Sequence, residues 1–131
     1  MSVLDIGCNC GFFDLFLSDK VNNIVGVEYN NSLIQIANIV KQYENIDNVE
    51  FICEDFNKFK CDKKFDIIFA DPPYDLELTS YQKMIELILT NQWLDEGGNF
   101  VLEHPSTISF EEHPNFVQHK KYGNVHFSFF E

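Results

Sequence analysis

The stretch FDIIFADPPYDL, residues 65–76, sets a carboxylate, two prolines and an aromatic ring in succession behind an apolar run. Neither proline can donate a ladder hydrogen bond, so the run ends as a strand at Asp71, and Pro72 and Pro73 stiffen its exit. A fixed carboxylate and rigid carbonyls suit a reaction in which N–H groups must be held still. The exocyclic amino group of a nucleobase is a poor nucleophile, because its lone pair is delocalised into the ring. With its N–H groups bonded to the Asp71 carboxylate and the Pro72 carbonyl, that nitrogen can pyramidalise and offer the lone pair to an electrophile. Tyr74 supplies a face for the base to stack on, a contact worth about 1–3 kcal/mol.

A second set of residues suits a nucleoside-type ligand. The first apolar strand leads into DIGCNCG, residues 5–11; the second ends at Glu28; the third runs into Glu54-Asp55-Phe56. Glycines after a first strand let the backbone approach a ligand and open a helix whose N–H groups face it. Glu28 is placed to accept from both hydroxyls of a ribose, and Asp55 from an adenine amino group while Phe56 packs on the ring. The GxGxxG dinucleotide fingerprint is absent. Asp5, ahead of the glycines, suits a ligand bearing positive charge and an amino acid moiety. S-adenosylmethionine has both, whereas the pyrophosphate of NAD is disfavoured by so acidic a loop.

These residues need a scaffold, and the chain supplies strands alternating with helical segments. VLDI (3–6), IVGV (24–27), VEFIC (49–53), FDIIFA (65–70) and NFVLE (99–103) read as strands. Residues 12–17 can be helical. SLIQIANIVKQY (32–43) reads as a helix capped at Asn30–Asn31, with Leu33, Ile36, Ala37 and Val40 on one face. TSYQKMIELILTNQWL (79–94) reads as another, with a stripe of Met84, Ile85, Ile88 and Leu89 and an end at Gly97–Gly98. The tail holds two strands around Gly123–Asn124, a hairpin turn. The expected fold is therefore a single α/β domain over residues 1–131, with a Rossmann-like, mostly parallel sheet and a C-terminal antiparallel hairpin.

Composition narrows the setting. Hydrophobic residues make up 45% of the 131 residues, enough for one globular core. No apolar run reaches the length of a membrane span and no signal-peptide pattern opens the chain, so the expectation is a cytoplasmic protein with reduced thiols. Cys8, Cys10, Cys53 and Cys61 lack zinc spacing, as do the four histidines, and no metal is expected; His104, after the fifth strand, is placed to approach a substrate. Net charge is −12 and all nine basic residues are Lys, a balance that repels phosphates. Lys120 and Lys121 are the clearest cationic pair near the C-terminus.

VLDIGCNCG, VEYN, EDF and FADPPYDL together resemble the class I S-adenosylmethionine-dependent methyltransferases. More narrowly, FDIIFADPPYDL and the tail LEHPSTISFEEHPNFVQHKKYGNVHFSFFE resemble the RsmD-type enzymes, which methylate N2 of a guanine in small-subunit ribosomal RNA. The resemblance spans the whole chain. It implies S-adenosyl-L-methionine as cofactor, ribosomal RNA or the small-subunit particle as partner, and a monomer. It places Asp5, Gly7 and Gly11 on the cofactor loop, Glu28 on the ribose, Asp55 beside the adenine, and Asp71, Pro72, Pro73 and Tyr74 in the amino-methylation motif.

Two departures stand out. Asn9 occupies the middle of the cofactor loop where the family has glycine; Asn visits left-handed backbone conformations readily. The basic N-terminal extension that the resemblance implies is not among these residues, and a first strand central in the sheet is expected to bring the chain's charged terminus close to its buried start. Two alternatives stay open: an adenine-N6 methyltransferase acting on DNA or RNA, and a shortened, non-catalytic remnant of the fold.

Overall fold

A computed structural model of the chain describes residues 1–73 and 75–131. The elements are β1 (Ser2–Ile6), α1 (Phe12–Leu17), β2 (Asn23–Glu28), α2 (Asn31–Tyr43), β3 (Val49–Cys53), a 3-10 turn (Phe56–Lys58), β4 (Phe65–Ala70), α3 (Leu78–Thr90), β5 (Leu94–His104), β6 (Phe116–Tyr122) and β7 (Val125–Phe130). The seven strands form one sheet in the order β3-β2-β1-β4-β5-β7-β6. Pairings through β5 are parallel, and β7 runs antiparallel to both β5 and β6. Strand order reverses between β1 and β4, and in such sheets ligands bind outside the carboxyl ends at that reversal. The loop after β1 and the exit from β4 therefore face one another.

Strand alternation divides the apolar residues between two faces. Leu4, Ile6, Val25, Val27, Ile68, Ala70, Phe100 and Leu102 pack with Tyr81, Ile85 and Ile88 of α3 in the larger core. Each such side chain contributes about 1.5–3 kcal/mol when fully buried. Val3, Ile24 and Val49 form the smaller core with Leu15, Leu17 and Phe51. The first strand is central, as its apolar run requires, yet Met1 is exposed and its ammonium donates to the Asn22 side chain. The charged terminus therefore lies next to the start of the central strand, as expected, but on the surface.

The Rossmann-like expectation holds, and local differences have identifiable causes. In α2, Asn30 caps as expected, accepting from the N–H groups of Ser32 and Leu33. Ile34 and Ala37 are the buried residues, however, while Ile36 is exposed. One residue back from Ala37, Ile36 is turned about 100° away from the face that meets the sheet. Helix α3 carries the anticipated stripe but stops at Thr90. Gln92 takes a left-handed φ of 55°, and Trp93 then turns into the core, where its indole N–H donates to the Cys61 carbonyl. Gly97–Gly98 instead lies inside β5, at an irregularity in the pairing with β4. A Cβ at Gly98 would sit 2.9 Å from the Asp66 carbonyl oxygen, so a side chain is excluded there. The predicted hairpin forms, with Gly123 at a positive φ between β6 and β7.

Gly11 ends the loop after β1 at φ 77°, and a Cβ there would lie 2.4 Å from the Phe51 ring. Gly11→Ala is expected to cost about 2–4 kcal/mol, combining the left-handed penalty with overpacking. A lowered urea midpoint at unchanged slope would show it; an unchanged midpoint would contradict the packing described.

Candidate active site

The loop 7–11 is shaped by its backbone. Gly7, Asn9 and Gly11 all have positive φ, so Asn9 does adopt the left-handed conformation open to it. The N–H groups of Gly7 and Cys8 donate to the Val27 carbonyl at 2.8 and 3.1 Å, tying the loop to the end of β2. Glu28, buried at that end, bridges two loops: Oε1 accepts from the Asn9 N–H at 3.2 Å and Oε2 from the Asn30 N–H at 2.9 Å. Each oxygen keeps a second lone pair, the capacity needed to receive a pair of vicinal hydroxyls.

Beside Glu28 lies a cleft of about 510 Å³, within the size range of small-molecule sites. Gly7, Asn9 and Glu28 form one wall, Asp55 and Phe56 the next, and Asp71, Pro72 and Pro73 another. Asp55 begins the 3-10 turn, its Oδ1 accepting from the Asn57 N–H at 2.9 Å, which fixes the carboxylate at the rim. Phe56 is anchored by Phe59 and Trp93, with ring centroids 6.5 and 5.8 Å away. Asp71 is exposed and Pro72 buried, as expected of a carboxylate presented on a rigid stem. The Pro73 carbonyl is already engaged by Leu76 N–H and the Tyr81 hydroxyl, so it is not free to serve as the amine acceptor. Tyr74, the expected stacking residue, lies outside the described residues.

Asp5 and Gly11 do not line this cleft. A second one, about 350 Å³, runs along the α1 side of the sheet past Asp5, Phe12, Phe13, Phe69 and Asp71. Asp71 borders both. Asp5 itself is buried and paired with Asp14, the one polar side chain in the FFDLFL helix. Apart from the Asp5 carboxyl, no group among the described residues donates to either oxygen of the fully buried Asp14. Its hydrogen-bonding neighbour is the Asp5 carboxyl, so the two share a proton. Burial, then Asp5, lifts Asp14 to about 10; burial lifts Asp5 to about 6, opposed by the bond from Asp14. Asp5 is thus a proton-sharing acid at the back of the loop. Burial and the nearby carboxylates of Asp14, Asp5 and Glu28 also raise the Cys8 thiol, which is no thiolate nucleophile.

His104 does not approach the clefts. It is buried on the α3 side, where Nδ1–H donates to the Pro105 carbonyl at 2.9 Å and Nε2 accepts from the Ser128 hydroxyl at 2.7 Å. Burial holds its imidazole below the ordinary range. No cluster of three or more potential metal ligands occurs among the described residues, and no helix is long and apolar enough to cross a membrane.

Sequence reasoning missed Asp14 and Glu103. Asp14 had a signal, a lone carboxylate in an otherwise apolar helical run. Glu103 had none without register. Ala70 pairs with Leu102, which sets Glu103 beside Asp71, and the two carboxyls are hydrogen-bonded.

Comparison with known proteins agrees with this geometry. Pavine N-methyltransferase from Thalictrum flavum subsp. glaucum is 33% identical over 107 residues, covering 79% of this chain and 29% of that protein. An uncharacterized RNA methyltransferase from Mycoplasma mobile is 36% identical over 91 residues, covering 67% of this chain and 24% of that one. The chain therefore spans under a third of either relative's length. The HI0767 protein from Haemophilus influenzae shares the fold at a TM-score of 0.82, with 20% identity over 98% of this chain and 84% of that one. Coclaurine N-methyltransferase, in a complex with N-methylheliamine and SAH, superposes at a TM-score of 0.65, with 25% identity over 79% of this chain and 30% of its own. S-adenosylmethionine, the cofactor expected from the sequence, agrees with that complex. A methyltransferase-domain family model matches residues 1–127, and the chain belongs to that family.

Proposed function

We propose that the chain transfers the methyl group of S-adenosylmethionine to an exocyclic amino group of a nucleobase, with guanine N2 in small-subunit ribosomal RNA as the acceptor. The supporting observation is Asp71 at the border of two clefts, one suited to the cofactor and one open along the sheet for the acceptor. When bound, the cofactor supplies an electrophilic methyl group on a sulfonium. Glu28 receives the ribose hydroxyls through its remaining lone pairs. Asp55 accepts from the adenine amino group, and Phe56 packs on the ring. The left-handed turns at Gly7 and Asn9 shape the loop that walls the cleft.

At the chemical step, Asp71 and the Pro72 carbonyl accept the two N–H bonds of the amine, and the nitrogen lone pair is directed at the methyl carbon. The stiff Pro-Pro exit lets both acceptors act without reorganising. Transfer would form the N–C bond as the S–C bond of the sulfonium breaks and leaves a neutral thioether, and the resulting ammonium would give one proton to Asp71 or to water. Lys120 and Lys121 on β6 offer cationic contact with phosphate in a chain that is otherwise acidic.

The test is transfer of labelled methyl to ribosomal RNA or DNA, followed by digestion to nucleosides and mass identification. N2-methylguanosine from RNA is the expected product. N6-methyladenine would replace the guanine assignment, and no labelled nucleoside from a chain that binds cofactor would overturn nucleobase methylation.

A further inference from the structure

Glu103 stands at the end of β5, next to Asp71 at the end of β4. The parallel register Ala70↔Leu102 sets the two residues side by side, and strand alternation puts both side chains on the face that carries Phe69 and Val101. Their carboxyls are hydrogen-bonded to one another. The smaller cleft opens on that same face at Asp71, with Phe12, Phe13 and Phe69 as its aromatic wall. Phe13 and Phe69 pack at 6.0 Å between ring centroids. The cleft thus offers a surface for a planar ring and, at its end, the Asp71 carboxyl, with Glu103 next to it on the neighbouring strand.

Building on the proposed nucleobase reading, we infer that Glu103 is the specificity-determining residue, pairing with a ring N–H while Asp71 takes the amino group. Guanine presents N1–H and N2–H side by side, two donors for two adjacent carboxylates. Adenine presents its amino group beside N1, an acceptor that an ionised Glu103 repels. A site built to receive a donor discriminates against an analogue lacking it, because the half-buried Glu103 carboxylate is left facing another acceptor.

Ionisation of Glu103 sharpens the discrimination, and protonation blunts it. The bond to Asp71, then burial, then the Asp71 charge raise its carboxyl to about 7. Ionised, it pairs with guanine N1–H; protonated, it donates to adenine N1 or back to Asp71. Asp71 faces it from β4. From β7 its partner is the uncharged Phe127, and beyond that strand Lys120 of β6 lies opposite Phe127.

The experiment compares binding of guanosine and adenosine to the cofactor-loaded chain and to Glu103→Gln by chemical-shift titration at pH 6 and 8. The parent chain is expected to favour guanosine about tenfold at pH 8 and less at pH 6. Glu103→Gln should bring the ratio to within about twofold at both, with cofactor affinity unchanged. Equal binding of the two nucleosides by the parent at pH 8, or a preference that survives Glu103→Gln, would overturn the assignment. The methyl-transfer reading fails separately: a guanosine preference erased by Glu103→Gln, with no methylated base formed, would sustain the role of Glu103 while refuting the reaction.

Discussion

Asp71→Ala is expected to lower methyl transfer by about 10³-fold while leaving the affinity for S-adenosylmethionine within twofold of the parent chain. Removing one preorganised electrostatic contact at a reacting centre typically costs about 10²–10³ in rate. Asp71 is in addition the charged member of the acceptor pair, and a hydrogen bond to a charged group contributes about 1.5–3 kcal/mol. The side chain is exposed at the end of β4 and belongs to neither core, so the fold should tolerate its loss. Single-turnover transfer together with cofactor titration separates chemistry from binding. Transfer by Asp71→Ala within tenfold of the parent would remove Asp71 from the chemical step.

The largest effect on stability is expected at Asp14. Its carboxyl, held near 10 in the folded chain by burial and by Asp5, has an ordinary value of 3.8. The folded state therefore keeps a proton that the unfolded chain gives up. This contribution is complete below about pH 4 and is lost as pH rises toward 10, at up to about 1.4 kcal/mol per pH unit. Asp5 adds to the same trend over a narrower window, from 3.8 to about 6. Asp14→Asn preserves the shape, offers an N–H to Asp5 and has no proton to lose. At pH 8, about four pH units above the ordinary value, it should stabilise the protein by up to about 6 kcal/mol, seen as a clear rise in thermal midpoint. Thermal unfolding at pH 5, 7 and 9 should show the parent weakening steadily with rising pH and Asp14→Asn much less. Parallel curves for the two proteins would show that the proton is not held.

The site was legible wherever a local rule fixed the backbone. Two prolines behind an apolar run could only be a strand exit, so Asp71 and Pro72 were placed from sequence alone. Glu28 followed from ending a strand, and the hairpin at Gly123–Asn124 from its turn residues. Errors arose where an uncommon residue did a common job. Gln92, and no glycine, takes the left-handed position after α3, which left Gly97–Gly98 as a false helix end. The burial of Asp5 was not legible because its neighbour Asp14 comes from a helix nine positions later, nor was the place of Glu103, which only the pairing of β4 with β5 brings to Asp71. Side-chain pairings between elements are set by packing and register, which a single strand's pattern does not contain.

The central claim, a cofactor site organised by Glu28 at the carboxyl ends of β1 and β2, is tested most directly by calorimetric titration with S-adenosylmethionine. The chain is expected to bind at one site with micromolar affinity, and Glu28→Ala to bind about 10–100-fold more weakly with its circular dichroism preserved. No heat of binding from a demonstrably folded chain, or equal affinity in Glu28→Ala, would contradict the account.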